Sequence, residues 1–102
     1  MPESRQVTQE RLDDETITQR LVALPQWIRS GDELQRTFTF RGFTQAMEFV
    51  NAVAGAAESA SHHPDILVRY SKVTLSLSTH DAGGLTELDF EFAGAVDALH
   101  GG

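Results

Sequence analysis

Ile66-Leu67-Val68-Arg69-Tyr70-Ser71-Lys72-Val73-Thr74-Leu75-Ser76-Leu77-Ser78-Thr79 is the stretch that decides how this chain folds. Apolar side chains recur at every second position, at 66, 68 and 70 and again at 73, 75 and 77, with Arg69, Thr74 and Ser76 between them. A period of two marks strands with one buried face. Ser71-Lys72 separates the two runs and predicts the turn of a β-hairpin reaching from Asp65 to Thr79. Upstream, Leu34, Phe38 and Phe40 alternate with Thr37, Thr39 and Arg41 after a Ser30-Gly31-Asp32 turn. This is a third strand, with Arg36 interrupting its inward row. Trp27-Ile28-Arg29 is predicted to pair with it as another hairpin.

Helical spacing fills the intervals. Asp13 is placed to cap a helix in which Asp14 and Glu15 suit the positive end of the dipole and Leu12 staples to Ile17. Ile17, Leu21 and Leu24 continue its apolar face until Pro25 ends it. A second helix is expected from Phe43-Thr44, with Thr44 as cap, to about Ala60, with Ala46, Met47, Val50, Val53, Ala54 and Ala57 as its stripe. The third opens with Thr86 as cap, Asp89 three residues on and a Leu85/Phe90 staple, and buries Phe92, Ala93, Val96 and Leu99. The order α-β-β-α-β-β-α predicts an α+β fold: a four-stranded antiparallel sheet with three helices packed on one face.

At 102 residues the chain fits one domain, here residues 12–100 behind a polar N-terminal tail at 1–11. Forty per cent apolar residues with six Phe build a core and argue against disorder. No apolar run reaches the roughly 20 residues of a membrane span, and no signal peptide opens the sequence. Absence of Cys excludes disulfides and thiolate chemistry and, with no export signal, agrees with a cytoplasmic location. Eight basic against fifteen acidic residues leave −7, the wrong sign for nucleic-acid binding.

Chemistry concentrates at one end of the Asp65–Thr79 hairpin. His62-His63-Pro64 precedes its first strand and His80 closes its second, so antiparallel pairing brings the three imidazoles together. Pro64 stops the preceding helix and extends His63. His100, close to the fraying Gly101-Gly102, is set aside. Three readings compete. A zinc trio is disfavoured because adjacent side chains on extended backbone point to opposite faces. Solvated loop histidines would suit a lone His better than three converging near Glu58 and Asp89. Acid–base work suits imidazole, whose unperturbed pKa is about 6.5.

Glu58, three residues, His62-His63-Pro64, five residues, Tyr70, nine residues, His80 and then Asp89 resembles the signature of the pterin-4a-carbinolamine dehydratase family. Leu24-Pro25-Gln26-Trp27 is similar to the family's Trp-bearing helix end, and Phe38-Thr39-Phe40 with Phe43 to its second strand. The resemblance runs from about Leu12 to Leu99. Ser61 departs from it, standing where relatives commonly carry Asn or Asp.

The resemblance implies loss of water from a 4a-hydroxytetrahydropterin, giving quinonoid dihydropterin, with no metal and no cofactor. His62, His63 and His80 are the candidate catalytic residues, and by position His62 and His80 are assigned to proton transfer and His63 chiefly to binding the pterin ring. Glu58 and Asp89 are expected to orient imidazoles or favour their charged form, Asp89 also serving as a helix cap. Ser61 and Pro64 shape the site. Trp27 offers either an apolar wall to the pterin or a core side chain. Non-catalytic members of the fold, a coactivator dimerisation factor and a carboxylase assembly factor, supply the alternative of an interaction module. The implied partners are a small pterin and further copies of the chain, with neither nucleic acid nor membrane. The strand Val73 to Ser78, lacking Pro or inward charge, is expected to offer the sheet edge of a homodimer or homotetramer.

Overall fold

The computed structural model describes residues 10–101. Helix α1 (Asp14–Leu21) leads to strands β1 (Ile28–Ser30) and β2 (Glu33–Thr39) and helix α2 (Phe43–Ala60). Strands β3 (Asp65–Arg69) and β4 (Lys72–Leu77), a 3-10 turn at His80–Ala82 and helix α3 (Glu87–His100) complete the chain. The strands form one antiparallel sheet in the order β1-β2-β4-β3, with the three helices over one face. This is the expected architecture. Of the tail expected at 1–11, residues 1–9 lie outside the described residues. Arg11 packs its stem on Gly84, and the Leu12 N–H donates to the Leu85 carbonyl at 2.8 Å.

The inward row of β4, Val73, Leu75 and Leu77, is fully buried beside Leu34 and Phe38 of β2. Ala46, Phe49, Val53 and Ala57 of α2 and Phe90, Phe92, Ala93 and Val96 of α3 close over it. Alternation on one side and three-four spacing on the other thus meet in one core. Arg36 keeps its place in the inward row of β2 because α3 answers its charge. Its Nη1 donates to Asp97 Oδ1 at 2.7 Å and its guanidinium lies 4.2 Å over the Phe38 ring.

Several expectations need correction. α1 stops at Leu21, before Pro25, because residues 22–24 turn back through 3-10 type bonds such as Leu24 N–H to the Leu21 carbonyl. α2 begins at Phe43 with Gly42 as its cap, so Thr44 lies inside the helix and caps nothing. In α2, Phe49 is buried and Ala54 exposed; in α3, Leu99 is half exposed and Phe90 takes the buried place. The β3–β4 turn falls on Tyr70-Ser71, one residue early, with Tyr70 at φ 54°. Tyr70 therefore leaves the strand and stacks on Phe43. Leu67, opposite Thr74, is exposed on the uncovered face, and Ile66, opposite Leu75, is exposed at the sheet's edge, where β3 has no neighbour beyond it. β4 lies between β2 and β3, so Val73 to Ser78 is not the edge that was expected.

The Asp13 cap does form: its carboxylate accepts the Thr16 N–H at 2.8 Å. Hydrogen bonding from Thr16, through its side chain first and then through this N–H, holds the Asp13 carboxyl below its ordinary value of 3.8. A depressed folded value stabilises the fold above the unfolded value, and the contribution is lost as pH falls through the folded one. Asp13→Ala is therefore expected to lower Tm at pH 7, with the gap to wild type closing as pH falls through the depressed folded value, below the ordinary carboxylate range. A gap that persists in acid, followed by circular dichroism, counts against the cap.

Candidate functional site

The site is built where α2 stops. Ser61 takes the left-handed conformation (φ 53°, ψ 39°), its N–H reaching the Glu58 carbonyl while the His62 N–H reaches that of Ala57 at 3.1 Å. These two bonds satisfy the last helix carbonyls and fix the backbone of His62. Pro64 then keeps His63 extended, so the two rings diverge. A serine at positive φ is strained where asparagine is tolerated. Ser61→Asn is accordingly expected to raise stability by about 0.5–1 kcal/mol, measured by urea titration. A lower midpoint would show that the Ser61 side chain has a task the turn does not reveal.

His62 turns inward. Its Nε2 lies 2.7 Å from Oδ1 of Asp89, a carboxylate with no solvent exposure. Oδ2 of Asp89 accepts the Thr79 hydroxyl at 2.8 Å and the Thr86 N–H at 2.9 Å. Thr79 gives its only proton to Asp89, so the Thr86 hydroxyl, 2.9 Å away, donates to Thr79. A carboxylate only accepts, and His62 Nε2 is therefore the protonated nitrogen, leaving Nδ1 for other work. Asp89 is at once the partner of His62 and the third residue of the Thr86 capping box. Among the described residues, no fully buried side-chain nitrogen or oxygen lacks a hydrogen-bond partner.

His63 faces the opposite way, its Nε2 2.6 Å from the exposed Glu58 Oε2. His80 opens the 3-10 turn beyond β4, held by the Thr79 N–H to Gly84 carbonyl bond and by Gly83 at φ 74°. A Cβ on Gly84 would lie 2.8 Å from Arg11 Nε, so a larger residue there would have to displace the Arg11 side chain from this loop. His62, His63 and His80 line one open pocket of about 520 Å³, with Ser61, Ser78 and Leu88 among its other walls. That is the scale of a small-molecule site. Among the described residues no set of three His, Asp or Glu side chains is arranged to hold a metal ion.

The sequence profile described as Pterin 4 alpha carbinolamine dehydratase matches residues 10–99. The chain belongs to that family. A relative from Picosynechococcus sp., named "Putative pterin-4-alpha-carbinolamine dehydratase", is 48% identical over 89 residues, 87% of this chain and 97% of its own. One of the same name from Thermomicrobium roseum is 55% identical over 83 residues, 81% of this chain and 89% of its own. Two solved structures share the fold. A transcriptional coactivator/pterin dehydratase from Brucella melitensis superposes with a TM-score of 0.86 at 33% identity, covering 90% of this chain and all of that one. A pterin dehydratase-like protein identified as a RuBisCO assembly factor in the alpha-carboxysome gives 0.64 at 31%, covering 74% and 89%.

Not every motif residue of this dehydratase-family chain reaches the pocket. Tyr70 sits at the opposite end of the β3–β4 hairpin. Trp27 is a core side chain, 3% exposed, whose Nε1 donates to Asp97 Oδ1 at 2.9 Å, so it forms no wall for a ligand. His100 packs against Phe38, Phe40 and Phe49, with ring centres 5.0 to 5.8 Å apart, and belongs to the core's rim. Thr79 is the residue that sequence reasoning missed. Its signal was parity: it continues the inward row 73, 75, 77 with a hydroxyl where an apolar side chain was due.

Proposed function

We propose that this chain is a hydro-lyase that dehydrates 4a-hydroxytetrahydropterin to quinonoid dihydropterin by histidine acid–base catalysis, in recycling of a tetrahydropterin cofactor. One observation carries the reading: an imidazole oriented by a fully buried carboxylate shares a pocket with two further imidazoles. Hydroxide is a poor leaving group, so the 4a oxygen needs a proton as its bond to carbon breaks. A ring nitrogen must lose a proton to form the new double bond, and water plus the dihydropterin balance the reaction. His62 and His80 supply one transfer each, with His63 against the pterin ring and Glu58 steadying it. Asp89 holds His62 in the tautomer that turns Nδ1 to the substrate. The RuBisCO assembly factor shows that a relative of this fold has another task. The buried His62–Asp89–Thr79 network favours the enzyme, because a purely structural descendant needs no oriented imidazole. A dehydration assay on enzymatically generated 4a-hydroxytetrahydropterin tests it. The expected result is acceleration over the spontaneous loss of water, and a rate equal to the spontaneous one overturns it.

We further propose a two-fold homo-oligomer assembled through β3. The strand order leaves β1 and β3 at the edges, and β3 is five residues long with Ile66 and Leu67 exposed. Its unpaired backbone groups accept a second copy, which extends the sheet. Light scattering at micromolar concentration is expected to give the mass of two or four chains. A single-chain mass refutes the assembly.

A further inference from the structure

Tyr70 belongs to the signature yet lies at the far end of the hairpin from the pocket of its own chain. It is 70% exposed, stacked on Phe43 of α2, and held at φ 54°, where a bulky side chain is strained. The imidazole pocket is open, and its described lining contains no Phe, Tyr or Trp. An exposed aromatic ring and a pocket without one thus stand at opposite ends of β3, whose outer edge has no neighbour.

A second copy brings the two ends together. Two-fold antiparallel pairing keeps the face each side chain takes, so only residues of like parity can stand opposite one another. The register centred on Leu67 sets Asp65 opposite Arg69 of the partner subunit, and symmetry makes this pair twice. Centring on Ile66 or Val68 instead leaves both charges without an opposite. Among the described residues neither Asp65 nor Arg69 has an ion-pair partner in its own chain. The same register lays the partner's Tyr70 beside Pro64, next to His63 on the rim of the pocket.

We infer that the pocket is completed by the second copy, the partner's Tyr70 serving as the aromatic wall on which a flat heterocyclic ligand stacks. This deepens the dehydratase reading and rests on it and on pairing through β3. Phe43 holds the ring in place from behind, and stacking needs no hydrogen bond, so the imidazoles stay free for proton transfer.

Charge reversal tests the register. Asp65→Arg and Arg69→Asp each set like charges opposite and are expected to weaken self-association by about tenfold in sedimentation, the double variant restoring it. Tyr70→Asn eases the turn, yet is expected to weaken calorimetric binding of a non-reacting 7,8-dihydropterin by about tenfold, while Tyr70→Phe retains it. Arg69→Asp, at concentrations where it has dissociated, should show the same loss, and the double reversal the same recovery. Exchanging Tyr70→Asn subunits with His80→Ala subunits is expected to give turnover severalfold above the mean of the parents, because each mixed pair holds one complete pocket. With dehydration intact, no gain on mixing or binding indifferent to Tyr70 overturns the shared pocket alone. A double reversal that fails to associate overturns the register and the shared pocket with it. Binding that follows Tyr70 and the pairing without dehydration overturns the enzyme reading and leaves the shared pocket standing; absence of both overturns both.

Discussion

His62→Ala and His80→Ala are each expected to lower kcat by about 10²–10⁴-fold, the range for losing one acid–base group. Their effects on stability should differ. His80 is exposed and outside the core, so its loss leaves the unfolding midpoint where it was. The His62 side chain is 10% exposed, donates to Asp89 and meets the edge of Phe92. Removing it is expected to cost about 1–2 kcal/mol. His63→Ala, whose ring is exposed beside Glu58, should act mainly through KM. The wild-type pH profile of kcat/KM should be bell-shaped, its limbs belonging to the coupled site rather than to single residues. Either alanine variant turning over at the wild-type rate would remove these residues from the mechanism. A loss confined to KM would make them binding groups.

Asp89→Asn is the second large effect expected, and it separates orientation from folding. An amide oxygen in place of Oδ2 can still accept the Thr86 N–H and the Thr79 hydroxyl, so the capping box survives. The amide NH₂ then stands where Oδ1 stood and donates to His62 Nε2. That obliges the ring proton to move to Nδ1, reversing the polarity His62 shows the substrate. We expect kcat to fall by about 10²-fold or more, with stability reduced by only about 1–2 kcal/mol as charge-assisted bonds become neutral ones. Asp89→Ala is the less informative variant, because it strands three buried donors at once and threatens the fold. Ring-nitrogen NMR shifts of His62 report the tautomer directly. An Asn variant with wild-type kcat, or one whose His62 tautomer is unchanged, refutes the orienting role of Asp89.

The sequence by itself determined the elements and the meeting of the imidazoles. Alternation in Val73, Leu75 and Leu77 required a strand with one buried face. Antiparallel pairing across a short turn then left no freedom in where residues 62–63 and 80 would lie. Local chemistry was equally legible in the Asp13 cap and in the Thr86–Asp89 box, since capping depends on residues three apart. What the sequence left open depended on partners distant along the chain. Whether β4 lies at an edge depends on which strand β2 chooses, and adjacent hairpins can stack in either order without changing a residue's parity. Pairing β2 with β4 buried the strand that had been expected at the edge and exposed β3 instead. Arg36 was readable only as an interruption until α3 set Asp97 beside it, 61 residues away, with Trp27 on the same oxygen. Thr79 likewise acquires its purpose from Asp89, ten residues on, once the loop through Gly84 folds back. Periodicity records which face a side chain takes, whereas a buried polar side chain is explained only by the donor or acceptor that packing brings to it.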